Sequence, residues 1–321
     1  MIVTVTANAA VDKTLTVANL QLGHRHRAQA GVAMAGGKGI NVARVLKNLG
    51  EPVIATGLAG GRNGAQIIDS LVSEGLLNDF VRIAGESRTS TAVIDPTSGI
   101  ETEINEYGPE ATREELDKLM ERLRYLSRAV SAVVLAGSLP RKVSTSFYAD
   151  IVRDLAKRKV PVVVDSDGEP MRLALQAEPA LVSPNQREAE ALVGHEFTTD
   201  EDFQQGLHEI ADMGAERVLI TLKTGCYALL RSSRHHDRLF RAWIPRQESV
   251  SSVGSGDALL AGFLSAWQAE ESHEQCLRLA LACGAANTQS VGAGVFDLRD
   301  VTRFAGLVEV QEIHPQRVKA S

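Results

Sequence analysis

Aromatic residues make up only 4% of this chain. That removes the usual stacking platform for single-stranded nucleic acid. A basic excess is also missing. The chain has 321 residues, with 34 Lys and Arg against 40 Asp and Glu, a net charge of −6, whereas general nucleic-acid or membrane-surface binders carry a positive balance. Cysteines number three, Cys226, Cys276 and Cys283. The odd count and the lack of any Cys-x-x-Cys spacing argue against a disulfide framework or a zinc site, and for a reduced, cytoplasmic compartment. No apolar run approaches the ~18 residues of a membrane span. Met1 leads straight into Ile2–Thr6 without a basic segment, so no secretory signal is expected. Small anionic ligands stay open, because a few local Arg or Lys residues suffice for them.

Several catalytic signatures are absent as well. Gly36-Gly37-Lys38-Gly39 looks like a Walker A loop but is not one: Val32 stands where its first glycine belongs, and Gly39 follows the lysine. His195-Glu196, His208-Glu209 and His273-Glu274 do not complete a zinc-binding His-Glu-x-x-His. His235-His236 reads as an exposed turn. Gly254-Ser255-Gly256 is not completed as a dinucleotide fingerprint, because Leu259 occupies the third glycine position.

What the chain does have is an ordinary globular composition, 44% hydrophobic and 23% charged. Near-continuous β-branched runs at Ile2–Thr6, Val53–Thr56, Ala132–Leu135, Val160–Val164 and Val218–Thr221 read as strands buried on both faces of a parallel sheet. Between them, apolar residues recur at three- and four-residue spacing, as in Ile40 to Leu49 and Leu116 to Leu126. Two further helices are expected over Asp257–Gln268 and His273–Gln289. The alternation implies one α/β sandwich over residues 1–321. Two stretches break the rhythm, residues 12–34 and 88–107. The second reads as a hairpin turning at Pro96-Thr97-Ser98-Gly99. Together they are expected to form a small β-lid. The tail from His314 is polar and basic and is expected to fray.

Three constellations can carry chemistry. Ser251-Ser252-Val253-Gly254-Ser255-Gly256-Asp257 opens an apolar helix. Its glycines allow backbone N–H groups to converge on an anion, beside an Asp suited to accept a proton. The same string also fits a plain helix start with Asp257 complementing the dipole. Gly36 to Ala43 opens another helix, with Lys38 and Asn41 beside glycines, which fits either a polar ligand or a tight turn. Asn185 and Glu188 lie three apart at a helix start after Pro184, suited to a hard cation and its water shell or simply to helix initiation.

Taken in order, Asn8-Ala9-Ala10-Val11-Asp12, Gly36-Gly37-Lys38-Gly39-Ile40-Asn41, Asn185-x-x-Glu188 and Val253-Gly254-Ser255-Gly256-Asp257 resemble the ribokinase-like PfkB carbohydrate kinase family over almost the whole chain. Glu86-Ser87-Arg88-Thr89, Thr102-Glu103-Ile104-Asn105-Glu106 and Gly137-Ser138-Leu139-Pro140-Arg141 are similar to the phosphosugar branch. The resemblance implies a ribokinase-like three-layer α/β/α sandwich with a small β-lid that supports a homodimer. It also implies transfer of phosphate from ATP, with Mg2+, to a sugar phosphate. Fructose 1-phosphate is the first expectation, with tagatose 6-phosphate or fructose 6-phosphate as the alternative. A non-catalytic phosphosugar sensor is the rival from another class. Asp257 matches the catalytic base, with Gly254, Ser255 and Gly256 as the anion hole. Asp12, Gly37, Lys38, Asn41, Arg88, Ser138 and Arg141 match substrate positions. Asn185, Lys223, Gly225, Ser252, Gly254, Gly256 and Asn287 are placed toward the nucleotide, and Glu188 with Asn185 toward the metal.

The chain departs from the pattern at Ala9, Ser255 and Lys142, which stand for Pro, Ala and Gly. It departs most at Leu222-Lys223-Thr224-Gly225, where the family has Leu-Gly-x-x-Gly.

Overall fold

The β-branched runs become the strands of one broad sheet. The computed structural model describes residues 1–231 and 237–313; His235-His236 and the tail from His314 lie outside the described residues. The first part of the chain runs β1 (Ile2–Thr6), β2 (Ala10–Thr16), β3 (Ala30–Gly36), α1 (Lys38–Asn48), β4 (Val53–Gly60), α2 (Gly61–Ser73) and β5 (Asn78–Ile83). Next come β6 (Arg88–Asp95), β7 (Ile100–Asn105), α3 (Arg113–Leu126), β8 (Ala132–Ala136), α4 (Phe147–Ala156), β9 (Val162–Asp165) and α5 (Gly168–Leu175). They are followed by β10 (Leu181–Val182), α6 (Gln186–Val193), α7 (Asp200–Asp212), β11 (Val218–Thr221), β12 (Gly225–Arg231) and β13 (Asp237–Trp243). The last elements are α8 (Ser255–Gln268), α9 (His273–Asn287), α10 (Leu298–Ala305) and β14 (Glu309–Ile313).

The main sheet is 10-stranded, in the order β14-β13-β12-β11-β10-β9-β8-β1-β4-β5. From β5 to β11 the neighbours run parallel. The edge formed by β12, β13 and β14 is antiparallel. Strand alternation divides the core between two faces. Ile2 and Val163 pack with Ile40, Leu260 and Phe263 on one side. Val3, Val5 and Val164 pack with Leu119, Tyr148 and Leu207 on the other. The result is the three-layer sandwich of a ribokinase-like fold.

Helix α8 is buried continuously from Asp257 to Ala266, as expected of a helix that is apolar all round. It lies between α1 and α9. Close approach there requires Gly262, since a Cβ at that position would sit 2.7 Å from the Leu279 carbonyl oxygen. The three cysteines are free and buried. Burial pushes the thiols of Cys226, Cys276 and Cys283 up to about 12, 11 and 12.

A separate four-stranded sheet has the order β3-β2-β6-β7. The hairpin read at 88–107 is β6 and β7, turning at residues 96–99, while the 12–34 stretch contributes β2 and β3 with somewhat wider bounds. Its unanticipated contact is the parallel pairing of β2 with β6, which welds the two hairpins together. Asp95 fixes the turn: its carboxylate accepts from the N–H groups of Asn19, Leu20 and Thr97 and from the Ser98 hydroxyl. Burial works against its charge, but these bonds prevail and lower its pKa to about 2.

Candidate active site

A cleft of about 600 Å³ lies between the two sheets. Thr6, Ala136, Asp165, Ser183 and Thr221 line it from the carboxyl ends of main-sheet strands, or just beyond them, and Asp12, Ser90 and Glu103 line it from the smaller sheet. Open α/β sheets bind ligands at such strand ends.

Helices α1 and α8 start in this cleft without a side-chain cap. Helix α3 satisfies its first turn with a Thr112–Glu115 capping box and α7 with Thr199–Asp202. Helices α1 and α8 instead begin at Gly37 and Gly254, which offer no side-chain cap. At Gly254 the backbone is left-handed, φ 76°, and a Cβ would lie 2.4 Å from the Ala293 methyl group, so only glycine fits. The Ser255 N–H is already bonded to the Ser252 carbonyl at 3.2 Å, and the first helical bond runs from Ala258 N–H to the Gly254 carbonyl at 2.9 Å. The N–H groups of Gly256 and Asp257 are therefore left over for a ligand. A Cβ on Gly256 would meet no atom within 4 Å, so the glycine keeps that part of the cleft open.

Asp257 sits at the centre, only 6% exposed. Its Oδ2 accepts a hydrogen bond from Asn41 Nδ2 at 2.8 Å. Burial, reinforced by the nearby Asp165 carboxylate, raises its pKa to about 7, while Lys38 and Asn41 pull the other way. A carboxylate poised near neutrality is suited to accept a proton. Lys38 is not a solvated turn residue: its Nζ lies 2.7 Å from Asp165 Oδ1 and 4.0 Å from Glu188 Oε1. Burial disfavours its charge, but Asp165, Glu188 and Asp257 together hold it above the ordinary lysine range.

Asp165 escaped the sequence reading, which ended that strand at Val164. The signal was a carboxylate at the carboxyl end of a buried apolar strand. Asp12 is pushed up to about 6, mainly by burial, with Arg88, the Gly37 N–H and Arg44 opposing the shift. Gly36 makes room for it, since a Cβ there would fall 2.0 Å from Asp12 Cγ.

The other expected positions divide. Arg88 and Ser138 line the cleft. The Arg88 guanidinium donates to the carbonyls of Asn8 and Glu106 and to Ser90 Oγ. Among the described residues it has no ion-pair partner. Arg141 instead donates to the Gly108 carbonyl and lines a neighbouring cavity of about 730 Å³, which Arg88 also borders.

Asn185 and Glu188 reach the cleft, but as the capping box of α6: Asn185 Oδ1 accepts from Glu188 N–H, and Glu188 Oε2 accepts from Asn185 N–H. Glu188 Oε1 is turned toward Lys38. Burial raises the Glu188 pKa and Lys38 opposes that shift.

Ser255, Ser252, Lys223, Gly225 and Asn287 are not among the lining residues. Lys223 is exposed on the turn from β11 to β12. Gly225 is packed into the sheet, where a Cβ would lie 2.6 Å from the Ala242 carbonyl oxygen. Asn287 braces the anion loop from behind, donating to the Val253 carbonyl at 2.7 Å and accepting from Gly294 N–H at 2.7 Å. Ser252 is engaged by a residue the sequence reading gave no role. The Glu101 carboxylate, on β7, accepts from Ser251 Oγ, Ser252 N–H and Ser252 Oγ at 3.0, 3.1 and 2.8 Å. A strand of the small sheet is thus tied to the anion loop.

Lys142, which replaces a glycine of the pattern, adopts the left-handed φ of 61° that explains why glycine is usual there. Its ammonium pairs with Glu110 at 2.9 Å.

Among the described residues no three His, Cys, Asp or Glu side chains form a metal cage. Magnesium usually keeps waters and is held through one or two carboxylates together with substrate phosphates, so it does not call for such a cage. Glu188, with Oε1 outside the capping box, is one of the cleft carboxylates that could hold such an ion, beside Asn185.

Comparison with known proteins identifies the family. A 1-phosphofructokinase from Borreliella burgdorferi is 30% identical over 314 residues, covering 98% of this chain and 99% of that protein. The structure of phosphofructokinase-2 from Escherichia coli in complex with substrates and products superposes with a TM-score of 0.86 at 27% identity, over 95% of this chain and 98% of that one. A putative phosphofructokinase from Staphylococcus aureus gives a TM-score of 0.79 at 29% identity, over 98% and 99%. The model of the pfkB family of carbohydrate kinases matches residues 3–299. With an uncapped helix start, a buried carboxylate beside it and this match along nearly its whole length, the chain belongs to the pfkB family and is a carbohydrate kinase.

Proposed function

We propose that this kinase transfers the γ-phosphoryl group of ATP to a hydroxyl of a sugar phosphate, with fructose 1-phosphate as acceptor and fructose 1,6-bisphosphate as product. The observation that carries the reading is the placement of Asp257, buried and with a raised pKa, at the uncapped start of α8 and opposite the uncapped start of α1. Asp257 takes the proton of the acceptor hydroxyl as that oxygen bonds to the γ-phosphorus and the bond to the β-phosphate oxygen breaks. The N–H groups of Gly256 and Asp257 donate to the phosphoryl oxygens as charge gathers on them. Lys38, released in part from Asp165, adds a positive charge on the same side. Asp12 and Asn41 hold sugar hydroxyls. Arg88, a cation without an ion-pair partner among the described residues, takes the phosphate the acceptor already carries. Glu188 and Asn185 are the residues that would hold magnesium, and bound magnesium supplies neutralising charge on the nucleotide phosphates.

The acceptor is tested by ADP release with ATP and magnesium on fructose 1-phosphate, fructose 6-phosphate, tagatose 6-phosphate and unphosphorylated fructose. A kcat/KM at least about tenfold above the others for fructose 1-phosphate is the expected result. Preference for a 6-phosphate would give the acceptor its alternative identity, a reading supported by the likeness to phosphofructokinase-2. Turnover of fructose alone would remove the role given to Arg88.

The smaller sheet serves in this reading as a lid and as a homodimer contact. Ile100 and Ile104 share the face of β7 opposite to the cleft-lining Glu103 and are 61% and 63% exposed, an apolar pair suited to a subunit contact. Light scattering during gel filtration would give a dimer mass, and Ile104→Lys a monomer.

A further inference from the structure

Arg44 is an arginine almost closed off from solvent, 6% exposed, one turn beyond Asn41 on α1. All five of its N–H donors are used. Nε and Nη2 grip the two oxygens of Glu74 at the end of α2, at 2.6 and 3.2 Å. Nη2 also donates to the Ala35 carbonyl at 2.7 Å, and Nη1 donates to the Ala293 carbonyl at 2.9 Å and to Asn41 Oδ1 at 3.3 Å. A guanidinium can only donate. The Asn41 atom facing it must therefore be the carbonyl oxygen, and the amide nitrogen must face Asp257, where it donates at 2.8 Å. The reversed amide would set two donors against each other at Arg44 and two acceptors against each other at Asp257. Ala293, held by the same guanidinium, is the residue packed against the Cα of Gly254 in the anion loop.

We propose that Arg44 is a positioning residue for phosphoryl transfer, locking the Asn41 amide so that its nitrogen serves the catalytic carboxylate and fixing the Ala293 segment behind the anion loop. The proposal rests on the reading of Asp257 as the base. The groups around that carboxylate are Asp165 on β9, Lys38 on α1 and Asp12 on β2. Arg44 makes no hydrogen bond to these three; its charge reaches Asp12 through space, and its hydrogen-bonded route to Asp257 runs through Asn41.

The test is a double-mutant cycle on kcat with ATP, magnesium and fructose 1-phosphate, using Arg44→Lys, Asn41→Ala and the double variant. Lysine keeps a charge for Glu74 but cannot reproduce the five-donor fork. We expect Arg44→Lys to lower kcat about tenfold with an unchanged KM for ATP. The double variant is expected to be no worse than Asn41→Ala by more than about twofold, because the two residues act as one unit. Losses that multiply in the double variant, or a wild-type kcat for Arg44→Lys, would overturn the proposal.

Should Arg44→Lys not fold, the Arg44→Met/Glu74→Met pair removes both buried charges together and enters the same cycle. Asp257→Asn is measured alongside. Near wild-type turnover there would sink the base assignment, an outcome separate from a failed cycle.

Discussion

Replacing Asp257 with asparagine changes one oxygen for one nitrogen in the most enclosed part of the cleft. The amide can still accept from Asn41 Nδ2, so the packing of α8 survives, but it cannot take a proton. Acid–base groups contribute about 10²–10⁴ in rate, so kcat should fall by at least about a hundredfold. The wild-type enzyme should carry a matching acid limb. With the carboxyl near 7, each pH unit below that should lower kcat about tenfold.

Stability should move the other way. The folded-state pKa is raised from 3.8 to about 7. Below 3.8 the carboxyl is protonated in both folded and unfolded chains and imposes no penalty. As pH rises from there to about 7, the unfolded chain ionises first and the folded state loses stability, and above about 7 the whole penalty is present. A shift of about three units corresponds to a ceiling of about 4 kcal/mol. The realised gain is smaller because Lys38 would lose a counter-charge. Asp257→Asn should therefore melt a few degrees higher than wild type at pH 8 and no higher at pH 4. Coupled ADP release from pH 5.5 to 9, with calorimetry on both proteins, checks the pair of effects. A folded variant within tenfold of wild-type kcat, or a wild-type rate that stays flat down to pH 5.5, would refute the reasoning.

Three further outcomes are expected. Arg88→Ala should raise the KM for the phosphosugar about 10- to 100-fold, the worth of a charge-assisted contact, and leave unphosphorylated fructose unaffected; equal effects on both would remove the anchor role. Gly254→Ala should abolish turnover, because a methyl group must enter at φ 76° and displace Ala293; full activity in steady-state assays would show that the loop does not need this geometry. Glu101→Ala should speed amide hydrogen exchange across residues 100–105 and 251–253, since the link between the sheets depends on that carboxylate; unchanged exchange would mean that the small sheet is held by other contacts.

The strands of the main sheet were legible because burial on both faces forces uninterrupted β-branched runs. Ile2–Thr6 and Val218–Thr221 coincide with β1 and β11. The helix starts at Gly37 and Gly254 were legible through their glycines. Residues that work only through three-dimensional partners left no such trace. Arg44 looks like any polar position on an amphipathic helix until Glu74, Ala35 and Ala293 close around it. Glu101 reads as the solvent side of a hairpin, and its partners are 150 residues away. Asn185 and Glu188 show the opposite case: the three-residue spacing read from the sequence is that of a helix cap, and the same cap turns Glu188 Oε1 toward Lys38.

The fate of the three cysteines has a practical consequence. A thiol is reactive only as the thiolate, and Cys226, Cys276 and Cys283 are both enclosed and shifted far from ionising at neutral pH. The native chain is thus chemically silent toward maleimides and iodoacetamides. A single cysteine placed at an exposed position of β7 would be the sole labelling point on an otherwise unmodified enzyme, and a dye there would report changes in the surroundings of the small sheet as ligands arrive.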